Sequence, residues 1–173
     1  LGIAVKHDGV FRLLTGNQLS ALMVNFVIEQ SKKHNLVEGT PGVVTTVVTS
    51  PLVQKAAHAQ DAKCPLVLTG FKWIAEVMRR WEKNGEADFL MGTEESYGYL
   101  VGKHCRDKDG IVAACIVGEM AAVAKSRGKT LVDELYDLYG RHGVHYEWQR
   151  SIVMPRLPSA KRMKGILEMV RSN

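Results

Sequence analysis

Val43-Val44-Thr45-Thr46-Val47-Val48 is a run of six β-branched residues, followed at once by Thr49-Ser50-Pro51. Branching at Cβ stiffens χ1 and crowds a helix, whereas the same side chains pack well on a pleated surface, so the run reads as a buried strand. Pro51 suits the first position of a helix, where its missing N–H costs nothing, and a helix is expected through about Gln60. The alternation repeats downstream: residues 64–68 read as a second strand, Thr69-Gly70 turns into a helix with Phe71, Ile74, Met78 and Trp81 on one face, and residues 87–91 form a third short strand. Largely apolar strands alternating with helices predict a mostly parallel sheet covered on both faces.

Upstream, two short apolar segments, 1–6 and 10–14, flank His7-Asp8-Gly9, a hairpin signal. Asn17 then precedes Leu19, Leu22, Met23, Phe26 and Val27 at helical spacing, and the run ends in Gln30, Lys32 and Lys33. Past residue 91, Asp109-Gly110 opens a long helix whose buried side is expected to hold Ile111, Ala114, Cys115, Gly118 and Ala122, with Gly128 as its stop. Thr130 and Asp133 make a capping pair for a helix with Leu131, Leu135 and Leu138. Beyond Gly140 residues 145–155 alternate loosely like a strand, and Ser159 caps a last helix with Met163, Ile166, Leu167 and Val170, which places a boundary or linker within residues 140–158.

The 173 residues are 46% hydrophobic and 24% charged, the profile of one ordinary domain with a buried core. The chain opens at Leu1 instead of methionine, so its start is read as processed, excised or incomplete. The net charge of +5 sits wholly in residues 141–173, where seven basic residues face Glu147 and Glu168; a solvated tail is the simpler reading than a polyanion site. Cys64, Cys105 and Cys115 form no Cys-x-x-Cys pair and leave an odd thiol, which points to a reducing cytoplasm. No apolar run approaches the roughly 18 residues of a membrane helix, and no signal-peptide pattern opens the chain. Neither a membrane nor a nucleic acid is an expected partner.

Chemistry is sought where parallel strands run into loops at their carboxyl ends: Thr49-Ser50-Pro51, Thr69-Gly70-Phe71-Lys72 and Gly92-Thr93-Glu94-Glu95-Ser96-Tyr97-Gly98. The third is unusual, with two carboxylates, a hydroxyl and an aromatic between glycines. Glu94 and Glu95 do not make a glycosidase pair, because neighbours on an extended segment project to opposite sides. Asp107 and Asp109 offer metal ligands, but Asp109 is better read as a helix cap. No phosphate-binding glycine loop is present, no His-Glu-x-x-His occurs, and Ser50 and Ser96 have no identifiable histidine partner. Glu94 and Ser96 do suit a polyhydroxyl ligand, since one carboxylate accepts from two vicinal hydroxyls and a serine both donates and accepts; Lys72 and Lys108 could add cations for a phosphate. A purely structural turn and helix cap is the alternative.

Five stretches carry a family resemblance in order: residues 1–5, 14–18, 69–72, 92–98 and Arg106-Asp107-Lys108-Asp109-Gly110. They resemble the α-D-phosphohexomutases, more closely the phosphoglucomutase branch, over roughly residues 1–140. Glu95 departs from that family's Glu-Met-Ser-Gly variant, which favours phosphoglucomutase over phosphomannomutase. The resemblance implies a three-layer α/β/α sandwich with a mostly parallel mixed sheet: the family's third domain at 1–140, led by the end of the second at 1–14, with 141–173 a connector toward a C-terminal domain. It implies a substrate-binding set of Thr69, Glu94, Ser96 and Lys108, with Gly70 and Arg106 as neighbours, and Glu94 and Ser96 on the sugar's 3- and 4-hydroxyls.

The implied reaction interconverts hexose 1-phosphate and hexose 6-phosphate through an enzyme phosphoserine and a bisphosphate intermediate. Hexose phosphate and the other domains of the same polypeptide are the implied partners. The family's phosphoserine loop has no counterpart here, and its magnesium loop would end just before Leu1. So the chain is expected to hold no catalytic residue and no Mg2+ ligand, and to be inactive alone. A phosphopentomutase of the same family and a stand-alone phosphosugar-binding module remain open as alternatives.

Overall fold

The computed structural model describes residues 1–148 and 159–172. Strands β1 (Ile3–His7) and β2 (Val10–Leu14) form an antiparallel hairpin around Asp8-Gly9, both residues at positive φ, the backbone that a two-residue hairpin loop demands. Buried His7 fastens the hairpin to the body of the domain, with Nδ1 3.0 Å from Thr130 Oγ1 and its ring edge-on to Tyr136.

Four strands make the main sheet. β3 (Pro41–Thr46) lies between β4 (Leu66–Val67) and β5 (Asp88–Glu94), parallel to both, and β6 (Gly98–Val101) runs antiparallel on the far side of β5. Helix α3 (Phe71–Asn84) covers one face, where Phe71, Ile74, Met78 and Trp81 pack with Val44, Phe89 and Leu100. Each such side chain, nearly fully buried, contributes about 2–3 kcal/mol relative to exposure. The opposite face is covered by α1 (Gly16–Lys33), α2 (Pro51–His58), α4 (Gly110–Ser126) and α5 (Leu131–His142), whose apolar sides share a core with Val43, Met91 and Tyr99. The result is an α/β/α domain on a mixed sheet. A last helix, α6, spans Ser159–Arg171, with Met163, Ile166, Leu167 and Val170 all exposed.

Several boundaries differ from the sequence reading for local reasons. Strand β3 starts at Pro41 and ends at Thr46; Val47 and Val48 lie in the turn that follows, where Val47 N still donates to Val67 O and Thr49 N bonds back to Thr46 O, and both are more than half exposed. β4 shrinks to two residues, although Lys63 and Pro65 still lend carbonyls to β3. Thr15 caps α1, in a capping box with Gln18, and Asn17 lies inside the first turn of the helix. The expected face of α4 is reversed: Ala113, Val117, Met120 and Ala124 are buried, while Ile111 is 80% exposed and Ala114, Cys115, Gly118 and Ala122 also face outward. That helix is apolar nearly all round, so no periodicity separates its faces. Thr130 and Asp133 do form the expected reciprocal cap on α5. Residues 143–148 form no strand, and the remainder of the expected strand over 145–155 lies outside the described residues. Among the described residues no helix is long and apolar enough to cross a membrane.

Candidate functional site

Half of the stretch expected as a loop is strand. Gly92, Thr93 and Glu94 belong to β5 and pair with β6, which the sequence reading did not anticipate; the last pair is Glu94 with Gly98. Glu95, Ser96 and Tyr97 close the hairpin, and Tyr97 takes a left-handed φ of 63°. Three-residue hairpin loops put their third residue there and prefer glycine; for a tyrosine the conformation costs about 1 kcal/mol, so surrounding contacts must hold it.

Glu94 is only 8% exposed. Its Oε1 accepts from the backbone N–H of Gly70, at 2.9 Å, while Oε2 accepts no hydrogen bond among the described residues. Gly70 stands before α3 at a φ of 110°, open to glycine, and so turns its N–H toward β5. Thr69, beside it, is exposed. Gly98 leaves them room: a Cβ there would lie 3.1 Å from Glu94 Oε2 and 2.7 Å from Lys108 Cδ, so a larger residue would push the flexible lysine stem aside. Glu94 and the stem of Lys108 therefore converge over a backbone with no side chain, at the carboxyl end of the sheet. Ser96 is exposed on the turn above.

Lys108 Nζ bonds Asp107 Oδ1 at 2.8 Å and lies 5.0 Å from the Phe71 ring centroid. That pairing and the amide of Lys108 hold the Asp107 carboxyl below its usual range. Arg106 points elsewhere, in a two-pronged ion pair with Glu82 of α3 at 2.8 Å and 2.8 Å. Lys72 lies over Trp73. His104, Cys105 and Asp109 are the one cluster of three potential metal ligands among the described residues. Asp109 Oδ1 caps α4 by accepting from Ile111 and Val112, and Oδ2 meets His104 Nε2 at 2.8 Å. A hard ion such as magnesium asks for an octahedron of oxygens, and this mixed, already bonded set does not fit it.

The model of the phosphoglucomutase/phosphomannomutase α/β/α domain III matches residues 15–139. The chain belongs to this family. A phosphoglucomutase of Staphylococcus aureus (strain N315) is 33% identical over 176 residues, aligned to 100% of this chain and 30% of its own length; that of strain MSSA476 is 32% identical over the same shares. The chain thus spans under a third of the curated relatives it matches. Among solved structures, the exocytosis-sensitive phosphoprotein parafusin of Paramecium, a phosphoglucomutase in its open form, superposes with a TM-score of 0.58 at 20% identity, over 82% of this chain and 23% of that one. That likeness shows the fold.

In this domain III, Gly70, Glu94 and Lys108 come together, Thr69 and Ser96 stand on the adjoining loops, and Arg106 is paired away with Glu82 of α3. A cleft of about 570 Å3, lined among others by Thr15, Asn17, Val48, Glu95, Tyr97 and Trp148, opens beside the same turn and includes neither Glu94 nor Lys108. Sequence reasoning missed the polar belt behind the turn. Ser20 Oγ and Thr93 Oγ1 lie 2.6 Å apart, Thr45 Oγ1 donates to Thr93 O at 3.1 Å, and Ser50 N donates to Asn17 Oδ1 at 2.9 Å. The available signal was the row of threonines inside an apolar strand, which must find partners once buried.

Proposed function

We propose that this chain serves as the sugar-recognition domain of a longer phosphoglucomutase-type enzyme that interconverts hexose 1-phosphate and hexose 6-phosphate. The observation that carries this reading is Glu94, a nearly buried carboxylate with one oxygen anchored on Gly70 N and the other over Gly98 beside Lys108. Such a group exchanges hydrogen bonds with sugar hydroxyls without having to be organised first. Ser96 supplies an adjustable donor and acceptor, Thr69 a hydroxyl, and Lys108 a cation that gives up Asp107 for a phosphate.

In the proposed cycle a phosphoserine elsewhere in the polypeptide transfers its phosphoryl group to the free hydroxyl of the hexose phosphate, leaving a serine hydroxyl and a bisphosphate. The bisphosphate reorients and returns its other phosphoryl group to the serine. Magnesium, held by residues outside this chain, would neutralise charge on the transferring phosphoryl group. What falls to this chain is holding one sugar in two opposite orientations, which favours contacts to hydroxyls common to both poses. It follows that the chain alone binds phosphosugar weakly and turns none over.

The test is Glu94→Ala in the complete enzyme that carries this domain. Loss of a charge-assisted bond to the substrate should lower kcat/KM for glucose 1-phosphate about a hundredfold. Unchanged turnover would sink the role. On the isolated chain, glucose 1-phosphate should move the amide resonances of Gly70, Ser96 and Lys108 and leave those of α5 in place.

A further inference from the structure

Glu94 and Glu95 are adjacent, yet the backbone sends them to different partners. Glu94 reaches the β4–α3 loop. Glu95 reaches the β3–α2 loop, where its Oε2 accepts from Thr46 Oγ1 and Thr49 Oγ1, each at 3.2 Å, and the two hydroxyls lie 2.8 Å from each other. Thr46 is 0% exposed and Thr49 6%. The backbone of Glu95 is also confined from behind, because a Cβ on Gly16 of α1 would stand 1.7 Å from its carbonyl oxygen. The same turn keeps Tyr97 in a left-handed conformation that a free tripeptide would leave.

We infer that Glu95 is a positioning residue: it clasps the sugar-recognition turn to the β3–α2 loop, and it acts through an accepting oxygen instead of through its charge. The inference rests on the proposed role of that turn. Both partners of Glu95 are neutral hydroxyls, and among the described residues no cation pairs with it. Two hydroxyl protons serve three short contacts, so at any moment Glu95 receives at least one of them. The amide oxygen of a glutamine can accept the same bonds from the same place. An aspartate, one methylene shorter, cannot span the gap, and an alanine offers no acceptor.

The experiment compares Glu95→Gln, Glu95→Asp and Glu95→Ala in the complete enzyme, reading kcat and KM for glucose 1-phosphate together with hydrogen exchange of the amides of residues 95–98. Glu95→Gln should keep kcat/KM within about twofold and leave exchange unchanged. Glu95→Asp and Glu95→Ala should lose about tenfold in kcat/KM and speed exchange about tenfold, as expected for one or two lost hydrogen bonds. Thr49→Val, close in shape, should reproduce the faster exchange if Glu95→Ala proves too unstable to handle. Glu95→Gln failing as badly as Glu95→Ala would overturn the inference in favour of a charge role. Wild-type exchange in Glu95→Ala and Thr49→Val would overturn the clasp itself. An inactive wild-type enzyme would instead remove the proposed function, with the exchange results still deciding whether the clasp exists.

Discussion

Two loops meet over Gly98, and they are built on different principles. The turn at residues 95–97 is wired into the interior: Glu94 is nearly buried, Glu95 holds two buried threonines, and α1 approaches so closely that only glycine fits at position 16. The loop at residues 102–109 is mostly exposed, and its charges pair at the surface, Lys108 with Asp107 and Arg106 with Glu82. Exposed ion pairs are worth about 0–1 kcal/mol, so these side chains can change partners at little cost. Fixed groups therefore suit the part of a ligand that must be read, and exchangeable ones suit an anion that must be caught and released.

The largest effect that tests this contrast comes from two glycines. In Gly16→Ala the new Cβ meets Glu95 O at 1.7 Å, Glu95 C at 2.7 Å and Tyr97 N at 3.1 Å, all backbone atoms that cannot rotate away. The turn or the first residues of α1 must shift, and a loss of about 3 kcal/mol is expected in chemical denaturation. Gly110→Ala, at the start of α4 with nothing within 4 Å of the added carbon, should be neutral or stabilise by about 0.5 kcal/mol. Equal losses at both positions would mean that the turn is no more constrained than the exposed loop.

A smaller effect is expected at Lys108. Removing its charge in Lys108→Ala should raise KM for a phosphosugar about tenfold at low ionic strength, and the penalty should shrink as salt screens the wild-type lysine. The corresponding loss at Glu94, a group 8% exposed, should hardly respond to salt. Titrating both variants from low to high salt checks the distinction, and parallel salt curves would erase it.

Much of this was legible in the sequence because the signals were local and redundant. The Asp8-Gly9 turn, the amphipathic α3 and the Thr130 and Asp133 cap each depend on a few neighbouring residues, and the structure has them where the pattern put them. The stretch 92–98 announced itself as unusual, and Glu94 stands at the end of its strand. What stayed hidden depended on contacts far along the chain. Gly92-Thr93-Glu94 reads as loop until β6 supplies a partner, and the partners of Glu95, Thr46 and Thr49, come from nearly fifty residues away. The face of α4 stayed hidden for another reason: a helix of alanine, valine and isoleucine gives the sheet several acceptable sides, and the contacts of α1 and α5 select one.

The smallest effect is expected at Asp109, which closes the exposed loop. The N–H of Val112, then His104, then the N–H of Ile111 hold its carboxyl below the ordinary range. A carboxyl whose folded value is depressed adds stability above its unfolded value, and that stability is lost as pH falls through the folded value. Asp109→Asn keeps an acceptor for the α4 amides but removes the charge, so it should melt roughly 2 °C below wild type at neutral pH. The gap should close as pH drops below the ordinary carboxylate range, because protonated Asp109 then differs little from asparagine. Measuring the difference between the two proteins, and not either melting point alone, cancels the similarly depressed Asp133. A gap that persists unchanged to about pH 2 would mean that shape, not charge, holds the start of α4, and the 102–109 loop would then be as fixed as the turn it faces.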